Sequence, residues 1–360
     1  MDTYIFKNGN PIQKRTEADN LPCDFIWIDA LREDVVRDPA AWKVAICEQT
    51  QIHLDEFHIT DILNTQHPSN YDLTHEYEIL IFRKLLSKTQ DTVTLDPAAL
   101  YTSPVVFIIT PNALITVRES VSQTFDTLKL RLLQNKDALR TRLPGSPLEL
   151  SLRILNALVD KYLELRSPLT RRIDLWQKLL LQGNQRFNNW QQLLNERLAL
   201  HQLDNLCEEQ IDALQELRDE YLDQQTATIT EPPSRRDILS VRLNDLMEHV
   251  NRVQNHAARL EDALKSAVEL HFSATAHQTN ENLRFLAILS AVFAPLTLLT
   301  GIYGMNFAVI PGLHNPDGFW WMMGIMAGVT IGLLYYFRYR QLVWRKEKTV
   351  KAMFDTTHTH

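Results

Sequence analysis

The sequence predicts an α+β membrane protein. It has an N-terminal cytoplasmic α/β domain, a long helical stalk, and two C-terminal transmembrane helices, the first continuous with the stalk. Three observations predict this. Residues 237–294 contain no glycine and no proline, so nothing there asks a helix to stop. Within that stretch Leu239, Leu243, Leu246, Val250, Val253, Ala257, Leu260, Leu264 and Ala267 recur at steps of four and three, the seam of a helix packed against other helices. Finally, residues 283–303 and 319–337 are apolar runs long enough to cross a hydrocarbon core of about 30 Å.

Taken in order, residues 1–145 read as mixed α/β. Runs rich in β-branched and aromatic residues at 24–28, 78–85, 105–109 and 113–117 read as strands, the last two joined by the turn Thr110-Pro111-Asn112. Residues 40–49 and 55–63 read as helices. No phosphate-cradling glycine loop, dinucleotide fingerprint or nucleophile elbow occurs, so no enzyme class is indicated. His53, His58, His67 and His75 match no zinc spacing and read as surface or core residues. Cys23, Cys47 and Cys207 are odd in number and far apart, which fits a reduced cytosolic setting rather than a disulfide framework. The start of the chain has no apolar core of signal-peptide length.

The segment Leu143-Pro144-Gly145-Ser146-Pro147 is a break. Beyond it, the stalk (146–282) reads as helices at about 148–182 and 185–225, with Ser167-Pro168 as a point of division, and then the long helix. Ser234 followed by Asp237 has the form of a helix-starting cap. On the long helix, His249 and His256 sit two turns apart, as do Asp245 and Arg252, and read as a solvated face. At about 1.5 Å per residue this helix and its membrane continuation would measure on the order of 100 Å.

The net charge of −7 is unevenly placed. Residues 283–360 hold seven Lys/Arg against three Asp/Glu, leaving −11 on residues 1–282. Such an acidic soluble part is a poor nucleic-acid partner and a plausible cation collector, or a balance kept for solubility.

In the first membrane helix (283–303), steps of three and four from Asn280 pass through Leu283, Ala287, Ser290, Ala294, Thr297 and Gly301. After Leu283 this stripe is small or polar, whereas Phe285, Leu289, Val292, Phe293, Leu296 and Leu298 occupy other faces. Small residues serve close helix packing, and polar groups in a membrane face a bundle interior or a water-filled path. Several copies of the helix around a pore would satisfy both. The connecting loop (304–318) has no Lys or Arg, while Arg338, Arg340, Arg345 and Lys346 follow the second helix (319–337) and open a basic tail (338–360). Positive charge favours the cytoplasmic side, so both termini are expected inside, in an inner or plasma membrane.

The first membrane helix runs into Tyr303-Gly304-Met305-Asn306. That motif, placed between two C-terminal spans, resembles the CorA family of divalent-metal-ion transporters. Thr279-Asn280-Glu281, the run from Phe293 to Thr297, Asp245-Leu246-Met247-Glu248-His249 and the run from Leu155 to Tyr162 are similar to family segments. The resemblance covers most of the chain and is weakest over the first hundred residues. It implies a homopentamer, with Tyr303, Gly304, Met305 and Asn306 as the ion entrance. It makes Asn280, Leu283, Leu286, Ala287, Ser290, Ala294, Thr297 and Gly301 pore-lining, Leu283 and Leu286 forming an inner apolar constriction. It also implies control by cytoplasmic Mg²⁺ held between subunits by carboxylates, of which Asp245 matches best and Glu248 next. The expected cargo is Mg²⁺, with Co²⁺ and Ni²⁺ beside it, and no resident cofactor. One departure favours Zn²⁺: Ile310-Pro311-Gly312-Leu313 lacks the acidic residue of the magnesium branch and resembles the zinc branch. A membrane-anchored coiled-coil sensor without transport is the other reading, although a mere anchor needs neither the stripe nor the motif.

Overall fold

The computed structural model describes residues 1–7, 10–14, 23–86, 100–119, 122–133, 144–181, 187–227, 233–305 and 316–355. Two compact units result, Met1–Val268 and Glu269–His360.

The first unit opens with β1 (Asp2–Lys7), β2 (Asn10–Lys14), β3 (Phe25–Leu31), α1 (Arg32–Arg37), α2 (Pro39–Thr50), α3 (Glu56–Leu63), β4 (Asn70–Leu73), β5 (Glu78–Leu85), β6 (Thr102–Ile109) and β7 (Ala113–Arg118). The strands form one sheet in the order β2-β1-β3-β7-β6-β5-β4. Among the described residues, only the β3–β7 pair is parallel. The expected strands and helices fall on β3, β5, β6, β7, α2 and α3, with Asp24 and Asp55 just ahead of β3 and α3, and the turn at 110–112 joins β6 to β7 as an antiparallel hairpin. The strand β6 starts three residues earlier than its composition suggests, ahead of Pro104. Residues 102–104 pair with β5 alone, an edge-like position that tolerates proline.

The elements β1, β2, β4, α1 and α4 (Gln123–Leu133) had no sequence counterpart. Their stability comes from distant partners rather than from local pattern. The Phe6 ring of β1 stacks on Phe25 of β3 with centroids 4.3 Å apart, and Tyr4 lies 5.2 Å from Trp27.

Period-two alternation gives the sheet two apolar faces. One, including Ile26, Ile28, Ile79, Ile81, Val106 and Ile115, packs under the first three helices. The other carries Phe25, Trp27, Leu80, Phe82, Val105 and Phe107 and shares a core with the later helices. These are α5 (Pro147–Glu164), α6 (Arg166–Leu181), α7 (Trp190–Ala227) and α8 (Pro233–Tyr303). Ser146 caps α5 by accepting from the Glu149 N–H, with Pro147 in the first turn. The helix pair α5/α6 divides at Leu165, just before Ser167-Pro168. Because α8 begins at Pro233, Ser234 lies inside its first turn rather than capping it.

All nine seam residues of α8, from Leu239 to Ala267, are buried, as the four-three spacing requires. Polar contacts then fix the register of the helices. Arg197 Nε donates to Glu261 at 3.0 Å, and Gln177 Nε2 donates to the Ala263 carbonyl at 3.2 Å. His256, expected on a solvated face, instead sits half-buried with Nε2 3.0 Å from Thr170 Oγ1 and 3.2 Å from the Arg166 carbonyl. It is a fastener between α6 and α8, and burial, opposed by the Arg166 hydrogen bond, holds its pKa below the ordinary value. Cys207 is buried in the same core and burial pushes its thiol up to about 12, so it behaves as a small apolar residue.

The second unit holds the end of α8 from Glu269 and α9 (Gly318–Asp355). Both helices are long and apolar enough to cross a membrane.

Candidate functional site

The candidate ion path is built on the last third of α8. Asn280, Leu283, Leu286, Ala287, Ser290, Ala294, Thr297 and Gly301 are all exposed in the single chain. The most shielded positions of this segment are Val292 at 8% exposure and, less so, Ile288, Ala291, Pro295, Leu296 and Leu299. At about 100° per residue those positions lie roughly opposite the small-polar stripe. Val292 and Leu296 therefore belong to a packed face, not to an outward one. Among the described residues of its own chain, nothing covers the stripe.

Pro295 stands in the interior of α8, and its missing N–H leaves a gap in the backbone ladder. Nearby hydroxyls turn back onto the helix. Thr297 Oγ1 donates to the Phe293 carbonyl at 2.8 Å, and Thr300 Oγ1 lies 3.0 Å from the carbonyls of Leu296 and Thr297. Each hydroxyl so bonded keeps lone pairs available as acceptors.

The helix ends at the motif. The Gly304 N–H still reaches the Thr300 carbonyl at 2.9 Å, after which Met305 tightens onto Ile302 at 3.3 Å. A Cβ at Gly304 would stand 3.0 Å from that Thr300 carbonyl, closer than ordinary packing allows. Glycine is thus what lets the chain leave the helix this tightly. Tyr303 and Met305 are exposed. Asn306, with the segment Ile310-Pro311-Gly312-Leu313, lies outside the described residues.

The regulatory candidates stand on α8, on the side away from its buried seam. The Asp245 carboxylate is 57% exposed and lies 3.5 Å from His249 Nε2. Glu248 is 59% exposed and pairs with Arg252 at 2.5 Å, so Arg252 belongs to Glu248 rather than to Asp245. Among the described residues no group of three or more His, Cys, Asp or Glu is placed to hold a metal ion. In the first domain, His58 is buried, with Nδ1 2.7 Å from the Tyr77 hydroxyl and Nε2 3.2 Å from Asp72.

This arrangement has known counterparts. The structure of a CorA magnesium transporter from Methanocaldococcus jannaschii superposes with a TM-score of 0.66 at 19% identity, covering 94% of this chain and 96% of that one. The full-length CmaX protein gives a TM-score of 0.60 at 19% identity, covering 94% and 97%. In sequence, the cobalt/magnesium transport protein CorA of Thermotoga maritima is 23% identical over 280 residues, 78% of this chain and 74% of its own length. The CorA protein of M. jannaschii is 31% identical over 94 residues, 26% of this chain and 30% of its own. The family model described as the CorA-like Mg²⁺ transporter protein matches residues 25–340, which take in most of the soluble unit, both apolar helices and the motif between them. With this coverage, the chain belongs to the CorA-like Mg²⁺ transporter family.

Proposed function

We propose that the protein is a homo-oligomeric, channel-like importer of divalent cations, with Mg²⁺ as principal cargo and Co²⁺ and Ni²⁺ also accepted. The observation that carries this reading is the family match across residues 25–340, joined by the magnesium and cobalt in the names of its relatives. One copy cannot enclose a path, and the exposed small-polar stripe of α8 is the surface that further copies would share. Five copies is the number that the family resemblance implies. Tyr303 to Asn306 then form the entrance. Mg²⁺ gives up its water reluctantly, so carbonyl and amide oxygens that bind the hydrated ion avoid a large dehydration cost and still release it. The membrane potential supplies the drive, about 4.6 kcal/mol for a divalent ion at 100 mV, twice roughly 2.3 per charge.

Cytoplasmic Mg²⁺ would close the channel by binding at Asp245, with Glu248 beside it. Among the described residues no three such donors of one chain meet, so the ion would draw others from a neighbouring copy, and an ion that bridges copies only in the closed state biases the equilibrium toward it. Flux into proteoliposomes tests the whole reading, comparing Mg²⁺ with Zn²⁺, with and without a pH gradient. Mg²⁺ uptake that follows the potential is expected. Zn²⁺ uptake that requires the pH gradient would move the protein to the zinc reading, and no flux of either ion would leave it a sensor or anchor.

A further inference from the structure

One end of the sheet carries charges that the transport reading does not use. The strands β5 and β7 are both antiparallel to β6, and β3 is parallel to β7, so all three finish at the same end. On the face that packs under α5, Lys84 of β5 stands opposite Ser103 of β6. Two residues further along the same face of β6, Val105 pairs with Arg118 of β7. Lys84, Ser103 and Arg118 are therefore neighbours on one patch.

The acids present do not serve all of these donors. Asp29 holds Arg118, accepting from Nε at 3.1 Å and from Nη2 at 2.9 Å. It also pairs with Lys129 of α4, whose ammonium lies 5.4 Å from the Tyr4 ring. Lys84 is 4% exposed and Ser103 1%. The Ser103 hydroxyl has no hydrogen-bond partner, and among the described residues Lys84 makes no hydrogen bond or ion pair. Glu119 and Asp126 contribute only their field at Lys84. A fully buried hydroxyl without a partner, beside a lysine that is 4% exposed and without an acceptor, is costly, and such groups call for an explanation.

We propose that Lys84, Ser103 and Arg118 form a binding site for a small oxyanion of the phosphate class, with Asp29 holding Arg118 in position. The patch offers an ammonium and a hydroxyl beside the positive charge of the Asp29-bound Arg118 guanidinium, so what fills it must accept hydrogen bonds and carry negative charge. With the site empty, burial first and the Arg118 charge second push the Lys84 amine down to about 8. A bound oxyanion opposes both effects. General surface attraction does not explain such a site, since residues 1–282 carry −11. Inorganic phosphate and the terminal group of a phosphate ester present the same oxygens, and the depth of both side chains favours the free ion.

The test is thermal unfolding of the detergent-solubilised full chain in EDTA, with inorganic phosphate, ATP or chloride at matched ionic strength. Phosphate is expected to raise Tm saturably where chloride does not, and a saturable shift with either phosphate compound supports the site and names its source. Lys84→Met should unfold at a higher temperature without ligand, having lost a buried unpaired charge, and should show no phosphate shift. Ser103→Ala should need about tenfold more phosphate, the loss of one hydrogen bond to a charged group. If phosphate does no more than chloride for the wild type, or shifts Lys84→Met equally, the site does not exist and Lys84 is only an uncompensated buried cation.

Discussion

At the scale of single residues, the proposed entrance would rest on one neutral amide. Asn306 offers a carbonyl oxygen that can replace or hydrogen-bond ion-bound water without trapping the ion, as a carboxylate would. Asn306→Ala is expected to reduce Mg²⁺ uptake to background while the protein still inserts and assembles; normal flux in an assembled Asn306→Ala oligomer would remove this residue from the ion path. Its neighbour Gly304 plays a different part, since the 3.0 Å approach to the Thr300 carbonyl is a backbone requirement. Both residues stand in a motif between two apolar runs, a local pattern that sequence alone displays. Lys84 and Ser103 do not. Nothing in the segment Phe82-Arg83-Lys84 marks its last residue as buried, because burial there comes from β6 and from helices far along the chain.

At the scale of elements, α8 is the most predictable part of the molecule, and Asp245 shows where that predictability stops. The seam positions follow from helix period alone, and all nine are buried. Asp245 lies on the other side, exposed and 3.5 Å from His249, where period says only that it faces away from the core. If it holds a closing ion, Asp245→Ala should stay conductive at internal Mg²⁺ levels that silence the wild type, with ion selectivity unchanged. A coupling of about 1–3 kcal/mol corresponds to a shift of roughly 5–150-fold in the closing concentration. Asp245→Lys should shift it at least as far, adding repulsion to the lost ligand. Closure of both variants at the wild-type concentration would make Asp245 an ordinary solvated residue. His256 is the counterexample on the same helix: the same reasoning put it in solvent, but it lies against α6 because Thr170 and the Arg166 carbonyl happen to meet it.

At the scale of the whole molecule, the distribution of charge makes the strongest forecast. The loop between the spans, without Lys or Arg, and the basic run after residue 337 predict both termini inside. In a variant with Cys23, Cys47 and Cys207 replaced by serine, a cysteine at Asn315 should react with an impermeant thiol reagent in intact cells, and one at Lys348 should not. The reverse pattern would defeat import by this route. The family, the two apolar helices, the long helix and its seam were determined by the sequence alone, because each is a property of composition or of a repeating step along one helix. Tertiary structure alone decided the seven-stranded order with its single parallel pair, the short strands β1, β2 and β4, the split of the sheet into two cores, and the meeting of Lys84, Ser103 and Arg118. Those depend on which distant segments pair, and pairing energy between residues tens of positions apart leaves no periodic trace in either segment.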